Sequence, residues 1–372
     1  MKIPVMFRRI AFVAIPCLAL ASCGPATVPE KQEEAKPIVY PAPPDDPRFI
    51  YERTIFSSAD VQEAGSESEL RMMLTGETAT AEGLGKPYAV AVHQGKVYVS
   101  DTVDRLVKVF DFPARKYYKL GDDERNPLQK PLGIDVDEAG NLYAADASSK
   151  SVKVYDPKGK FLLAMGGPKF FDRLSSVTVT PDGSRVYVVD IGGVQSEQHR
   201  VRVFDGRSGE HLFDIGKRGG ELGDFNLPRD VAIGKDGRLY VVDGGNFRVQ
   251  VFDKDGKPIK SFGKVGKQLG QFARPKEIAT DAEGNVYVVD AAFGNFQIFN
   301  PEGELLMYVG NRNERGGPGE YLLPSGIAVD EDGRIYFVDQ WFRKVDIFRP
   351  YTLKPNDGYL GRAIFAPPSE KK

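Results

Sequence analysis

Residues 228–256 read PRDVAI-GKDG-RLYVVD-GGNF-RVQVF-DKDG, a unit of three short apolar stretches separated by glycine-containing turns. The stretches are rich in Val, Ile, Tyr and Phe, the residues most favoured in β-strands. Gly237 and Gly256 fall where a tight hairpin needs a residue that tolerates positive φ. This unit therefore predicts short antiparallel strands joined by hairpins.

The same unit occurs six times between residues 80 and 350. In each copy the second strand contains Tyr and ends in Asp, and these residues are Asp101, Asp146, Asp190, Asp243, Asp290 and Asp339. The third strands end in Phe110, Tyr155, Phe204, Phe252, Phe299 and Phe348. Four strands in a unit of this length are typical of a propeller blade. We predict an all-β fold, a six-bladed β-propeller of four-stranded antiparallel blades over residues 48–350, with a C-terminal tail at 351–372.

The last blade lacks a fourth strand directly after Phe348, which would leave an open sheet edge. Residues Arg48–Phe56 have strand-like alternation and no other partner, so we expect them to close the ring. Tyr359–Phe365 is the competing candidate.

The repeats resemble the NHL family. The resemblance is carried by residues 228–256 and by the similar segments that lead into blades four and five, GELGDFNLP at 220–228 and GKQLGQFARP at 266–275. It implies a propeller fold, and the bacterial members that it suggests are lipoproteins. The Asn-His-Leu triplet that names the family is replaced by DRL at 104–106 and FRK at 342–344. No residue role is therefore transferred.

The N-terminus has the order of features of a secretory signal. Basic residues within 1–9 precede an uncharged, apolar run at 10–22, which is too short to span a bilayer. The tetrapeptide LASC at 20–23 resembles the bacterial lipobox. We expect a signal peptide of residues 1–22 and a lipidated Cys23; the alternative is an ordinary cleaved signal with an incidental Cys.

A Pro-rich segment at 23–47 then reads as a lipid-anchored tether. Gly24 follows the Cys, and by resemblance to enterobacterial sorting this favours the outer membrane. The expected localisation is therefore an exported protein, held at that membrane through Cys23.

Candidate catalytic chemistry is sparse. The six repeated Asp occur in every blade, which favours a structural turn-capping role over a ligand ring. The three His are His93 at the end of a first strand, His199 in a loop and His211 on an outer strand. Imidazoles at such different positions in their blades cannot point at one metal ion, so we predict no shared metal site. We expect no catalytic residue and no cofactor, while a calcium ion held by channel oxygens stays open.

A candidate binding face is indicated where the six-fold pattern breaks. Blade three alone has an insertion at Ile191–Arg200, and Trp341 adds aromatic surface. The predicted face comprises Arg229, Asp230, Arg248, Lys276, Glu277, Trp341, Arg343 and His199. The alternative is scattered solvated charge with aromatic residues in the core.

These features favour a non-catalytic binding or scaffold module for a protein, peptide or glycan partner. The alternative function is a divalent-metal-dependent propeller lyase or lactonase. The net charge of −2 and the export signal argue against a nucleic-acid partner.

Overall fold

The computed structural model describes residues 36–61 and 81–365. The predicted signal peptide, Cys23 and the first part of the predicted tether lie outside the described residues. Within the described part no helix has the length and apolar character needed to cross a membrane.

Among the described residues, twenty-seven strands and one α-helix make up the regular structure, together with a short 3-10 turn at Ser58–Asp60. In chain order they are β1 (Val39–Tyr40), β2 (Phe49–Ile55), β3 (Pro87–His93), β4 (Lys96–Asp101), β5 (Leu106–Asp111), β6 (Lys116–Leu120), β7 (Pro131–Val136), β8 (Leu142–Asp146), β9 (Ser151–Tyr155), β10 (Phe161–Gly166), β11 (Leu174–Val179), β12 (Arg185–Asp190), β13 (Arg200–Asp205), β14 (His211–Ile215), β15 (Pro228–Ile233), β16 (Leu239–Asp243), β17 (Arg248–Phe252), β18 (Pro258–Phe262), β19 (Pro275–Thr280), β20 (Val286–Asp290), β21 (Asn295–Phe299), β22 (Leu305–Val309), β23 (Asn311–Arg312), β24 (Glu320–Tyr321), β25 (Pro324–Val329), β26 (Ile335–Asp339), β27 (Lys344–Pro350) and α1 (Gly358–Phe365).

Six antiparallel sheets form the blades, so the predicted all-β six-bladed propeller is confirmed. Blades 1 to 5 consist of β3–β6, β7–β10, β11–β14, β15–β18 and β19–β22. The first strands line the centre and the fourth strands lie outside. Apolar side chains from the facing surfaces of neighbouring blades bury one another, which forms the core between blades.

Blade 6 is completed by the N-terminal part of the described chain. Its sheet order is β1-β2-β27-β26-β25. β2 pairs antiparallel with β27, from Phe49 opposite Pro350 to Ile55 opposite Val345. The competing segment 359–365 lies in α1 instead, and its Leu360 is buried in the core between blades 6 and 1. The strand that closes the ring is therefore β2.

The repeated Asp residues tie each blade together. All six are fully buried, and each accepts a backbone N–H from the segment just before its blade's first strand. Asp101, for example, accepts from Gly85 and Lys86 and also from Val103 and Asp104 in the next turn. The predicted structural capping role is confirmed.

This arrangement defines two faces of the ring. The start of each first strand and the turn between second and third strands meet on one side, which we call the loop face. The hairpins between first and second strands, and between third and fourth strands, lie on the opposite side, which we call the hairpin face.

Candidate functional site

A cavity of about 840 Å³ occupies the centre of the ring. The first strands of all six blades line it, together with hairpin-face residues such as Glu138, Asp182, Lys235 and Glu331. On the loop-face side the lining stops at residues such as Ala89, two positions into a first strand. The cavity therefore extends toward the hairpin face and ends short of the loop-face starts of the first strands.

Tyr88 and Lys276 lie at that loop-face end. The Lys276 Nζ is 4.7 Å from the centroid of the Tyr88 ring, a cation–π contact between blades 5 and 1. Lys276 Nζ also lies 3.5 Å from the Pro324 carbonyl oxygen of blade 6. On the neighbouring strand, the Ser325 hydroxyl donates to the Tyr88 carbonyl at 2.6 Å, which links blades 6 and 1.

Three arginines lie on the same side of the ring, since Arg173, Arg229 and Arg274 stand at the loop-face starts of the first strands of blades 3, 4 and 5. Burial lowers the pKa of the half-buried Arg229, and the nearby charges of Arg173 and Arg274 lower it further. Burial lowers the pKa of Lys276 to about 8; the charge of Glu277 opposes this effect, while the charges of Arg274 and Arg229 add to it. We call Arg173, Arg229, Arg274 and Lys276 the basic mouth.

The three guanidiniums of the basic mouth are unpaired. Within residues 36–61 and 81–365, none of them donates a hydrogen bond or joins an ion pair through its side chain. Their backbone groups are engaged, since the carbonyls of Arg173, Arg229 and Arg274 accept from Ile191 N, Ser175 Oγ and Ala291 N at 3.0 Å. The backbone positions are therefore fixed, while the three guanidinium charges have no partner among residues 36–61 and 81–365.

Two predicted face residues, Asp230 and Glu277, lie beneath this surface instead. Asp230 accepts from Val231 N and Ile278 N, each at 2.8 Å, and from the Ser176 hydroxyl. Burial raises its pKa to about 6. Burial, reinforced by Asp230, raises the pKa of Glu277, whose Oε1 is buried without a hydrogen-bond partner. Their assignment to the exposed face was wrong, because both side chains turn into the channel wall.

His199 and Arg248 are also engaged within the fold. His199 is 1% exposed, with Nε2 3.0 Å from the Gly193 carbonyl and Nδ1 accepting from Leu227 N. It holds the blade-three insertion in place, so its assignment to the binding surface was wrong. The Arg248 guanidinium pairs with the buried Asp243 at 2.9 Å and donates to two loop carbonyls.

Trp341 and Arg343 do lie at the surface, in the turn between the second and third strands of blade 6. Trp341 is 63% exposed, and Arg343 is exposed with a φ of 54°. Sequence reasoning missed Tyr88, Arg173 and Arg274. A signal for the two arginines exists, since each directly precedes the first residue of a first strand.

The three His lie in separate settings. His93 pairs with Glu331 at 3.4 Å and His211 with Asp214 at 2.7 Å, while His199 is internal to a loop. In the part of the chain that the structure describes, no three His, Cys, Asp or Glu side chains are grouped so that they could hold a metal ion.

Six four-stranded blades around a central cavity define the class, a six-bladed β-propeller. Residues 225–252, which include most of blade 4, match the NHL repeat. NHL repeat-containing protein 3 of Homo sapiens is 28% identical over 192 residues, 46% of this chain and 53% of that protein. Its Mus musculus counterpart is 28% identical over 190 residues. The chain spans about half the length of the curated relatives it matches.

Solved structures share the fold. Streptogramin B lyase superposes with a TM-score of 0.53 at 14% identity, covering 72% of this chain and 94% of that one. A gluconolactonase from Xanthomonas campestris gives 0.54 at 17% identity, covering 72% and 86%. A protein of unknown function from Bacteroides thetaiotaomicron gives 0.58 at 16%, covering 80% and 75%. At these identities the likeness shows the fold alone.

Proposed function

We propose that the protein is a non-catalytic binding module of the bacterial cell envelope, which docks a protein, peptide or glycan partner on its loop face. The observation that carries the proposal is the basic mouth. Its three guanidiniums have no counter-charge among the described residues, although comparable side chains elsewhere are paired, such as Arg202 with Asp214 at 3.0 Å.

Cations held close together without partners repel one another. A partner that brings hydrogen-bond acceptors to this point relieves that repulsion, and the complementary charge also orients the encounter. Trp341 supports the same face, because exposed Trp and Arg side chains supply much of the binding energy at interfaces.

The anchor is the second part of the proposal. Lipidation at Cys23 and the Pro-rich segment 23–47 would hold the propeller at the outer membrane. In Cys23→Ser we expect loss of lipid labelling and of cleavage by the lipoprotein pathway. Labelling and membrane fractionation that match wild type would contradict the anchor and leave the docking proposal standing.

Crosslinking capture from intact cells with the full-length lipidated protein tests the docking surface. Arg229→Ala and Trp341→Ala should each weaken capture, by about 2 kcal/mol or roughly 30-fold if the side chain is desolvated in the complex. Arg207→Ala is the matched control, because Arg207 is an exposed Arg in a hairpin-face turn. Capture that survives both loop-face changes, or that falls equally in the control, would contradict the proposal.

Metal analysis of the purified protein and an assay of lactone hydrolysis distinguish the binding module from the alternative function, a divalent-metal-dependent lyase or lactonase. A stoichiometric divalent ion together with turnover that requires it would replace the binding proposal.

A further inference from the structure

We propose that the basic mouth is a binding site for an anionic group, a carboxylate or a phosphate, carried by the ligand of this protein. The inference rests on the proposed function, since it names the chemistry that the loop face recognises. Four basic residues stand at the loop-face starts of the first strands of three adjacent blades: Arg173 in blade 3, Arg229 in blade 4, and Arg274 and Lys276 in blade 5. Lys276 is held there by its contact with the Tyr88 ring at 4.7 Å.

The donors at this point outnumber the acceptors. A guanidinium presents five N–H donors and an ammonium three, and neither has an acceptor. The only contact from these side chains to an acceptor among the described residues is the long 3.5 Å approach of Lys276 Nζ to the Pro324 carbonyl. Water meets the donors of the exposed Arg173 and Arg274, and a ligand rich in acceptors would replace that water with several charge-assisted hydrogen bonds at once.

The protein's own acids do not fill this role. Asp230 is occupied by two backbone N–H groups and the Ser176 hydroxyl. Glu277 lies within the wall of the cavity and forms no ion pair of 4.0 Å or less with a described residue. Both carboxyls lie on the cavity side of the first strands. An anion on the loop face therefore meets the cations before it meets these acids.

The backbone that carries the site is held in place. The Arg173, Arg229 and Arg274 carbonyls accept hydrogen bonds from neighbouring segments, and Lys276 lies on the Tyr88 ring at 4.7 Å. Guanidiniums suit carboxylate and phosphate oxygens because they can bind two oxygens at once. Partial burial of Arg229 and Lys276 strengthens each contact by excluding water.

Titration calorimetry of the full-length protein at low ionic strength, with citrate and with inorganic phosphate as separate probes, tests the site. We expect wild type to bind at least one probe, and Arg229→Ala and Arg274→Ala each to weaken it by 10-fold or more, roughly 1.4 kcal/mol. Arg229→Lys should retain part of the affinity. Binding of citrate alone assigns a carboxylate ligand, and binding of phosphate alone assigns a phosphate ligand.

Arg207→Ala serves as the control that removes the same charge from the hairpin face, and all variants are first compared by thermal melting. Arg274 is exposed, so its substitution should leave the melting temperature unchanged even if that of Arg229 lowers it. No binding of either probe by wild type, or equal loss in Arg207→Ala, overturns the anion site. If partner capture still depends on Arg229 in that case, the docking proposal stands and only the ligand chemistry fails. If wild type binds a probe but captures no partner, the anion site stands and the docking proposal fails.

Discussion

Glu52 and Arg334 form a buried ion pair that joins the first long strand of the described chain to the last blade. Arg334 Nε lies 2.8 Å from Glu52 Oε2, and the Arg334 side chain is fully buried. The same guanidinium donates to the Asp357 carbonyl at 2.9 Å, just before α1. One side chain therefore links β2, blade 6 and the C-terminal segment.

Breaking this pair should destabilise the ring strongly. Glu52→Ala leaves the buried Arg334 guanidinium with only the more distant Asp332, at 3.8 Å, and Arg334→Ala leaves the Glu52 carboxylate with only Arg349, at 3.6 Å. Each change should therefore lower the free energy of unfolding by about 3 kcal/mol, the lower end of the range for a broken buried pair. Arg238 is a matched control, since it also precedes a second strand but pairs with Asp236 at the surface. Arg238→Ala should cost about 1 kcal/mol or less in denaturant unfolding. Equal, small losses at both positions would show that the buried pair has no special role in closure.

The closing strand itself is the second prediction. Deletion of residues 48–56 removes the outer strand of blade 6 and exposes β27 as an edge, with loss of the Tyr51–Phe348 ring contact at 6.2 Å. We expect a cost of several kcal/mol, seen as a lower melting temperature and as aggregation. Deletion of 39–40, which removes only the short β1, should cost less. A 48–56 deletion that melts as the full chain does would mean that closure does not depend on this strand.

Arg248 and Arg343 should behave differently although both belong to the predicted face. Arg248→Ala leaves the fully buried Asp243 without its cation and should lower the free energy of unfolding by about 1.5–3 kcal/mol. Arg343 is exposed and forms no ion pair with a described residue, so Arg343→Ala should stay within about 0.5 kcal/mol. Thermal and denaturant melts of the two variants decide this. Equal effects would show that the Arg248 contacts are not stabilising.

The repeat pattern predicts the blades because each copy has the same second strand, which contains Tyr and ends in an Asp that accepts backbone N–H groups. The binding face was harder to predict. The pairing register shifts between Pro228 and Val231 and between Pro275 and Ile278, so neighbouring residues of these first strands have different environments. Arg229 is half-buried near the loop face, whereas Asp230 is buried in the wall. The same shift follows the first-strand Pro of blades 1, 2 and 6, but that Pro does not indicate which of the next two side chains turns into the wall.

His199 shows the same limit in a loop. The insertion at 191–200 is visible as extra length, but its fold depends on Gly192 at a φ of 67° and on the bond between His199 and Leu227 of the next segment. Burial of the imidazole follows from those long-range contacts. Length and polarity alone favour an exposed loop, which is what the sequence suggested.

Glu277 gives a pH-dependent prediction. Burial raises its pKa, so the folded state holds the proton more tightly than the unfolded chain, whose carboxyl titrates at 4.5. Its contribution to stability is therefore fully present below pH 4.5 and is lost as the pH rises toward the raised folded value.

Glu277→Gln removes this loss and keeps a similar shape, so the variant should be more stable than wild type at pH 7 by about 1–3 kcal/mol. The difference should shrink to nothing below pH 4, and the exposed Glu138→Gln should show no such trend. Denaturant unfolding from pH 4 to 8 measures both. A Gln variant that is less stable at pH 7 would show that Glu277 is ionised and held by the adjacent Lys276, contrary to the direction argued from its burial.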